Sequence, residues 1–343
     1  MKKMRNTLYV NQPDRYLSLD GENVVISVRN NELGRVPLHN LEMIVTCGYT
    51  GVSPALLGKC AGYGISIVFM TQNGKFLARV EGETKGNVVL RREQYRMADR
   101  ESDRLLISKN IISAKIYNSR KVIERAIRDH ALRVNVNILR QKSEYLHQAM
   151  LDTQSVDTID SIRGIEGEAA SVYFSVFDDI ILQQKDDFCF EYRNRRPPLD
   201  PVNALLSLAY SMQTSQCAAA LEAVGLDPYV GFMHTDRPGR KSLALDIVEE
   251  FRACLCDRFV LTLINKKLIQ KEHFIYQEDG AVFLTEQGRR VFFEQWQNRK
   301  KEQVTHPFLN ESIEIGMLPY AQALLLSRFI RGDIDAYPPI FWR

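Results

Sequence analysis

No stretch of this sequence approaches eighteen consecutive apolar residues, roughly the least that a membrane-crossing helix needs. The opening MKKMRNTLYVNQPDR also lacks the apolar core of a signal peptide. Cysteine is sparse and scattered. There are six, Cys254 and Cys256 are the only close pair, and no CxxC occurs. That argues against a disulfide framework or a cysteine-based zinc site and fits reduced thiols. Internal repeats and low-complexity tracts are absent too, so the expectation is a soluble, cytoplasmic protein. Neither sign of charge dominates: 45 basic residues face 42 acidic ones for a net +3, and whole-chain charge argues only weakly for a polyanionic partner. What is present is apolar material, 45% of 343 residues, enough for one large or two medium domains with a sizeable core.

Residues 7 to about 89 read as mostly β. Thr7–Val10, Tyr16–Ser18 and Val24–Val28 are short β-rich runs, with Asp20-Gly21 as a hairpin turn between the last two. Ile65–Met70 and Lys75–Val80 form a second pair around Gln72-Asn73-Gly74, and Pro54–Tyr63 reads as an intervening helix. Many short strands with tight turns predict a small sandwich or roll. The polar, glycine-bearing Glu81–Gly86 is the linker signal. From Arg91 the period becomes helical. The expected class is therefore α+β: a small N-terminal β-rich domain over 1–89 and a larger all-α domain over 90–343.

Charge is unevenly spread. Between Arg91 and Lys142 there are fourteen basic residues against six acidic ones. Lys115 and Arg120 lie in this tract, whose packing side is supplied by Ile107, Ile111, Ile112, Ile116 and Ile123. It reads either as a solvated helix face or as a groove tracking a nucleic-acid backbone. Gln183–Leu199 combines Phe188, Phe190 and Tyr192 with Arg193, Arg195 and Arg196. That mixture suits stacking plus phosphate contact, or a loop pinned onto a helical core. Asp200-Pro201 then opens a helix, with an N-cap acceptor followed by proline at the first position; Asn203 and Tyr210 lie on it.

The stretch around which the chain is organised is GFMHTDRPGRKSLALDIVEEFR, Gly231–Arg252. A loop delivers His234 to a helix with Ser242 as its expected N-cap. Ala244, Ile247, Val248 and Phe251 recur at helical spacing and are expected to pack inward. Asp246, Glu249 and Glu250 fall on the other side. An imidazole at the start of a carboxylate-bearing helix has the chemistry of a divalent-metal site; the alternative is a solvated acidic face beside an ordinary loop histidine. Geometry leaves the acid open, because Asp246 diverges from Glu249 by roughly 60° and from Glu250 by roughly 40°. Earlier, RGIEGEAASVYF (Arg163–Phe174) sets Glu166 between Gly164 and Gly167 in an otherwise helical run. Interior glycines cost a helix roughly 1 kcal/mol each relative to alanine, and they serve where a backbone or a ligand must come close.

Taken in order, RGIEGEAASVYF, GFMH and SLALDIVEEFR resemble the CRISPR-associated nuclease-integrase family that captures new spacers. RRPPLDPVNALLSLAYS, SAKIYNSR and GISIVF add weaker signatures, and the resemblance covers essentially the whole chain. It implies metal ligands at Glu166, His234 and Glu249, with Asp246 as a supporting acid and Glu250 as a solvated neighbour. Asn203 and Tyr210 are expected close around the metal, while Lys115, Arg120, Arg193, Arg195 and Arg196 are expected to contact DNA. The implied cofactor is Mg²⁺ or Mn²⁺. The implied reaction is cleavage by water, or joining by a DNA 3′-hydroxyl through transesterification. The implied partners are double-stranded DNA (prespacer and CRISPR repeat), a second copy of the chain through its N-terminal domain, and a small companion protein bridging two dimers. The length and the opening LYVNQPDRYLSLDG are similar to the type I-C branch.

Two rivals come from other classes. A facial triad of a non-haem iron oxygenase usually has two histidines and one acid; here the ratio is reversed, and the basic helices would have no purpose. A non-catalytic DNA-binding assembly protein keeping the same fold is the other, against which stands the presence of all three ligand positions.

Overall fold

The computed structural model describes residues 6–342 apart from 11, 13, 30, 49, 72–75, 81 and 83–87. The N-terminal strands are β1 (Asn6–Val10), β2 (Tyr16–Asp20), β3 (Asn23–Val28), β4 (Asn31–Pro37), β5 (Leu41–Cys47) and β6 (Gly51–Val52). Helix α1 (Pro54–Tyr63), β7 (Ser66–Met70) and β8 (Phe76–Val80) follow. Two four-stranded sheets result, in the orders β4-β3-β2-β6 and β1-β5-β7-β8. The β2–β3 hairpin turns through Gly21, whose φ of +56° is accessible to glycine at little cost. The second sheet departs from a roll of hairpins, since β1, β5 and β7 run parallel. Parallel neighbours need a long crossover, and α1 lies in the one between β5 and β7.

Strands β4 and β5 do not appear among the runs read from the sequence. β5, LEMIVTC, pairs along both edges, and its consecutive Met43, Ile44 and Val45 are all buried instead of alternating in and out, as in a strand covered on both faces. β4, NELGRVP, is an edge strand with mostly exposed residues. The core unites Leu17 and Val24 of one sheet, Ile44 and Ile67 of the other, and Leu56 and Cys60 of α1. The Gln72-Asn73-Gly74 turn and, apart from Gly82, the Glu81–Gly86 linker lie outside the described residues.

Beyond them come α2 (Val88–Asp99), α3 (Glu101–His130), α4 (Val136–Ser155), α5 (Ile159–Phe174), α6 (Pro201–Ala223), α7 (Ser242–Glu249) and α8 (Arg258–Asn265). A wide π-type turn, Arg252–Asp257, connects the last two. β9 (Phe274–Tyr276) pairs with β10 (Val282–Leu284), α9 (Glu286–Lys301) follows, β11 (Gln303–Thr305) pairs with β12 (Ser312–Glu314), and α10 (Leu318–Ile330) is the last helix. The class is α+β, with a largely helical C-terminal region. Asp200 caps α6 as its sequence predicts, accepting from Asn203 N at 2.7 Å with Pro201 beside it. α6 is buried on nearly every side, as a helix without a polar face must be.

The chain divides into two units, and a single cut after residue 89 does not describe them. One unit is Met1–Lys85, Glu272–Ile275 and Phe283–Glu302; the other is Gly86–Lys271, Tyr276–Val282 and Gln303–Arg343. α9 groups with the sheets because Tyr9 stacks on Phe293, centroids 4.7 Å apart, and Lys300 Nζ donates to Thr7 Oγ1 at 3.2 Å. These partners lie nearly the whole chain apart, so periodicity carries no trace of them.

Candidate metal centre

All residues of the candidate site lie in the second unit. Its first half is a loop held from three sides. Asp246, fully buried on α7, accepts from the backbone N–H groups of Phe232 (2.6 Å), Met233 (3.1 Å) and His234 (3.0 Å). Arg104 of α3 donates to the Phe232 carbonyl at 2.9 Å, and Arg163 of α5 donates to that of Met233 at 2.7 Å. Gln94 of α2 donates to the carbonyls of Asp227 and Val230 at 2.8 and 2.9 Å. Gly231 is required by this fit: a Cβ there would stand 2.8 Å from both Asp246 Oδ2 and the Ser242 carbonyl carbon.

The same Asp246 orients the imidazole. His234 Nδ1 lies 2.6 Å from Asp246 Oδ1, so Nδ1 carries the proton toward the carboxylate and Nε2 keeps the lone pair. A carboxylate behind a histidine in this way fixes the tautomer that a metal needs. Ser242 does not cap α7 with its side chain. It is the first helical residue, its hydroxyl donates to the Thr235 carbonyl at 3.2 Å, and the Pro228 carbonyl takes the N–H groups of Leu243 and Ala244.

The second half joins two carboxylates through a cation. Lys115 of α3 donates to Glu166 Oε1 on α5 and stands 2.6 Å from Glu249 Oε2 on α7. The other oxygen of Glu249 is 3.0 Å from Arg252 Nη2. Burial opposes ionisation of Glu249, but Arg252 and Lys115 outweigh it and hold the carboxyl down at about 2. Nevertheless, among the described residues no three His, Cys, Asp or Glu side chains meet closely enough to hold a metal ion. What converges is the pair of carboxylates on one positive charge, with the oriented imidazole apart from it. That donor set, two carboxylates already sharing a cation and one imidazole with its far nitrogen taken, fits a hard or borderline divalent ion.

Around this pair the structure sorts the other expected residues. Arg252 lies over the Tyr210 ring at 4.6 Å, and the Tyr210 hydroxyl donates to Asp257 at 2.6 Å. Arg193 lies over the same ring at 5.3 Å and donates to Asn203 Oδ1 at 2.5 Å and to Ser207 Oγ at 3.0 Å. Tyr210 therefore supports Glu249 through Arg252. Asn203 sits one step further out, where it also donates to the Tyr192 carbonyl at 2.9 Å. Arg193, expected on a DNA-contacting surface, is instead pinned onto α6, and burial pushes its guanidinium down. Lys115 is held between two acids, and Arg120 ties α3 to α4 through Ser143 and His147. Arg195 and Arg196 are exposed. Arg195 also lines a cavity of about 40 Å³ beside Lys115, Glu166, Tyr210 and Arg252.

Two further expectations need correction. The acidic side of α7 and of the residue that follows it is not solvated: Asp246, Glu249 and Glu250 are all buried. Glu250, expected as a solvated neighbour, accepts from the Tyr337 hydroxyl (2.5 Å), Gln322 Nε2 (2.8 Å) and the Ile340 N–H (2.8 Å). It anchors the C-terminal tail, and burial raises its carboxyl to about 7. The glycines flanking Glu166 admit no neighbouring backbone either. A Cβ at Gly164 or Gly167 would meet open space, so the surface next to Glu166 is bare. Residues that sequence reasoning passed over are Arg163, Gly231 and Arg252, of which Arg163 and Arg252 stand at the ends of the motifs that contain Glu166 and Glu249; Arg104, part of the basic tract read as a solvated face or a nucleic-acid groove, instead holds the His234 loop.

Comparison with known proteins adds a further finding. The sequence model described as CRISPR associated protein Cas1 matches residues 8–298. A protein of Rhodospirillum rubrum named CRISPR-associated endonuclease Cas1 2 is 48% identical, the alignment covering 100% of both chains. A CAS1 protein from Thermotoga maritima has the same fold, with a TM-score of 0.82 at 21% identity over 95% of this chain and 97% of that one. A chain in a Cas6-RT-Cas1–Cas2 complex matches with a TM-score of 0.82 at 23% identity, over 100% of this chain and 36% of that one.

Proposed function

Because this chain belongs to the Cas1 family of CRISPR-associated endonucleases, we propose that Glu166, His234 and Glu249 form its active centre for breaking and joining DNA during spacer acquisition. The protein is an endonuclease-integrase, an enzyme acting on DNA. The observation that carries the assignment of residues is the convergence of Glu166 and Glu249, from different helices, on one positive charge, in the unit where Asp246 orients the His234 imidazole.

Mg²⁺ or Mn²⁺ is the ion we assign, and Glu166, His234 and Glu249 would hold it. When bound, it supplies charge for the non-bridging phosphate oxygens and lowers the pKa of the attacking hydroxyl. The chain's own part is orientation. Arg252 fixes Glu249 by one oxygen and leaves Oε2 directed at the site; Asp246 fixes the imidazole; Arg104 and Arg163 fix the loop that carries it. The bare surface at Gly164 and Gly167 gives a DNA strand access to Glu166, and exposed Arg195 and Arg196 neutralise its backbone. With water as nucleophile this centre cleaves; with a DNA 3′-hydroxyl it performs the transesterification that inserts a spacer into the repeat.

Around that chemistry we place double-stranded prespacer and repeat DNA as substrates. A homodimer forms through the first unit, which also contacts DNA, and a small companion protein bridges two dimers. The type I-C branch is supported by the length and the opening LYVNQPDRYLSLDG. A cytoplasmic location is supported by the scattered cysteines; among the described residues no helix is long and apolar enough to cross a membrane. The test is nicking and strand transfer on a repeat-bearing plasmid with Mn²⁺. Glu166→Gln, His234→Ala and Glu249→Gln should each abolish both reactions in a folded chain. A double variant much worse than either inactive single variant, or one single variant near wild-type activity, would contradict a shared centre.

A further inference from the structure

We infer that Lys115 is a positioning residue of the cation site: a tethered counter-charge that holds Glu166 and Glu249 toward each other and is displaced when a divalent ion binds between them. This rests on reading Glu166, His234 and Glu249 as that site. Three helices meet at one ammonium, with Lys115 on α3, Glu166 on α5 and Glu249 on α7. The lysine side chain is only 13% exposed and that of Glu249 only 5%. Two carboxylates directed at one point in such surroundings repel each other unless a cation lies between them.

Arg252 cannot serve as that cation, because it occupies Oε1 of Glu249 from the far side. Lys115 covers Oε2, the oxygen that otherwise makes no hydrogen bond. A metal ion entering the pair must therefore take the position of the ammonium. Lysine suits a temporary occupant, being a compact charge on a flexible stem, whereas the rigid guanidinium fork of arginine suits a permanent one. The cavity of about 40 Å³ that Lys115 lines with Arg195 and Tyr210 gives the displaced side chain somewhere to go. A resident ammonium thus occupies the point on which the two carboxylates converge. Its net effect is to keep the carboxylates ionised and facing each other while weakening metal affinity.

Mn²⁺ titration and thermal melting of the full chain test this at one fixed pH, with EDTA-treated and Mn²⁺-saturated samples compared. Lys115→Met should lower the melting temperature in EDTA by about 5 °C, as expected on removing one partner of a buried ion pair. It should also tighten Mn²⁺ binding by about tenfold, because no ammonium has to leave, and enlarge the rise in melting temperature that Mn²⁺ produces. Lys115→Arg, which restores the charge, should return both quantities toward wild type. A methionine variant with wild-type melting in EDTA, or with unchanged or weaker Mn²⁺ affinity, overturns the inference. If that variant is unfolded in EDTA, saturating Mn²⁺ must restore a cooperative transition, and failure to do so overturns it equally. Wild-type chain that binds no Mn²⁺, or binds it as His234→Ala does, refutes the cation site itself, a separate result from a lysine with no effect on it.

Discussion

Glu249 and Glu250 are consecutive, both buried, and differently employed. Glu249 faces α3 and α5, where Lys115 and Arg252 hold it ionised with its carboxyl at about 2. Glu250 faces α10 and the tail, where its partners are neutral donors, Tyr337, Gln322 and the Ile340 N–H, and burial raises its carboxyl to about 7. Cations make the first carboxylate available to a metal; neutral donors make the second a structural anchor. The two regions are joined by α3, which sends Lys115 to the cation site and Asn118 to the tail. Asn118 donates at 2.8 Å to the carbonyls of both Glu250 and Ile340 and accepts from Trp342 N.

Amide substitution separates the two roles most sharply. Glu249→Gln should cost at least about a hundredfold in nicking and strand transfer, with the fold kept. Glu250→Gln should keep activity per folded molecule but lose about 1–3 kcal/mol of stability, since an amide nitrogen must then face donors that now find an oxygen. A dead, folded Glu250→Gln beside an active Glu249→Gln would move the ligand by one residue. This ranking comes from the partners that each buried carboxylate meets, cations for Glu249 and neutral donors for Glu250, which sequence spacing did not reveal.

Arginines provide the next contrast. Arg193→Ala should lower the melting temperature, because three contacts onto α6 go with it. Arg196→Ala should leave melting unchanged and reduce the salt dependence of duplex binding by a slope of roughly 0.9 if it meets a phosphate. Equal effects on both quantities from both variants would erase the distinction between a pinned and an exposed arginine.

The pH dependence of stability should show the two glutamates with opposite signs. Glu249, depressed in the fold, contributes stability above its unfolded pKa of about 4.3 that is lost as pH falls through about 2. Glu250, raised in the fold, binds its proton more tightly than the unfolded chain does. Its contribution therefore declines as pH rises from about 4.3 through about 7. Denaturant unfolding across that upper window should show a flatter profile for Glu250→Gln than for wild type, and an identical slope would deny the burial effect.

The smallest effect concerns Gly167. Its missing Cβ would meet open space, so Gly167→Ala should stabilise the protein by about 0.5–1 kcal/mol through helix propensity. If DNA passes over this bare face, strand transfer should fall at the same time. A stabilised variant with unchanged strand transfer would mean that the strand takes another route.

Local signals were legible and distant pairings were not. Pro54–Tyr63 was readable as a helix to the residue, as was the Asp200-Pro201 start of α6, because caps and prolines act within one turn. The motifs around Glu166, His234 and Asp246 were readable because each is contiguous. Lys115 lies 51 residues from Glu166, Asn118 lies 132 from Glu250, and Tyr9 contacts a helix that begins at Glu286. Nothing in periodicity encodes such meetings. They explain why Glu250 read as solvated, why Arg193 and Lys115 read as DNA contacts, and why α9 read as part of the helical domain.

Mn²⁺ binding by the purified chain, followed by electron paramagnetic resonance of the free ion, tests the central claim most directly. One ion per chain should bind in wild type and in Glu250→Gln. That ion should be lost, or bound far more weakly, in Glu166→Gln, His234→Ala and Glu249→Gln. Retention of full affinity in any of those three, or its loss in a folded Glu250→Gln, would contradict a centre built from Glu166, His234 and Glu249.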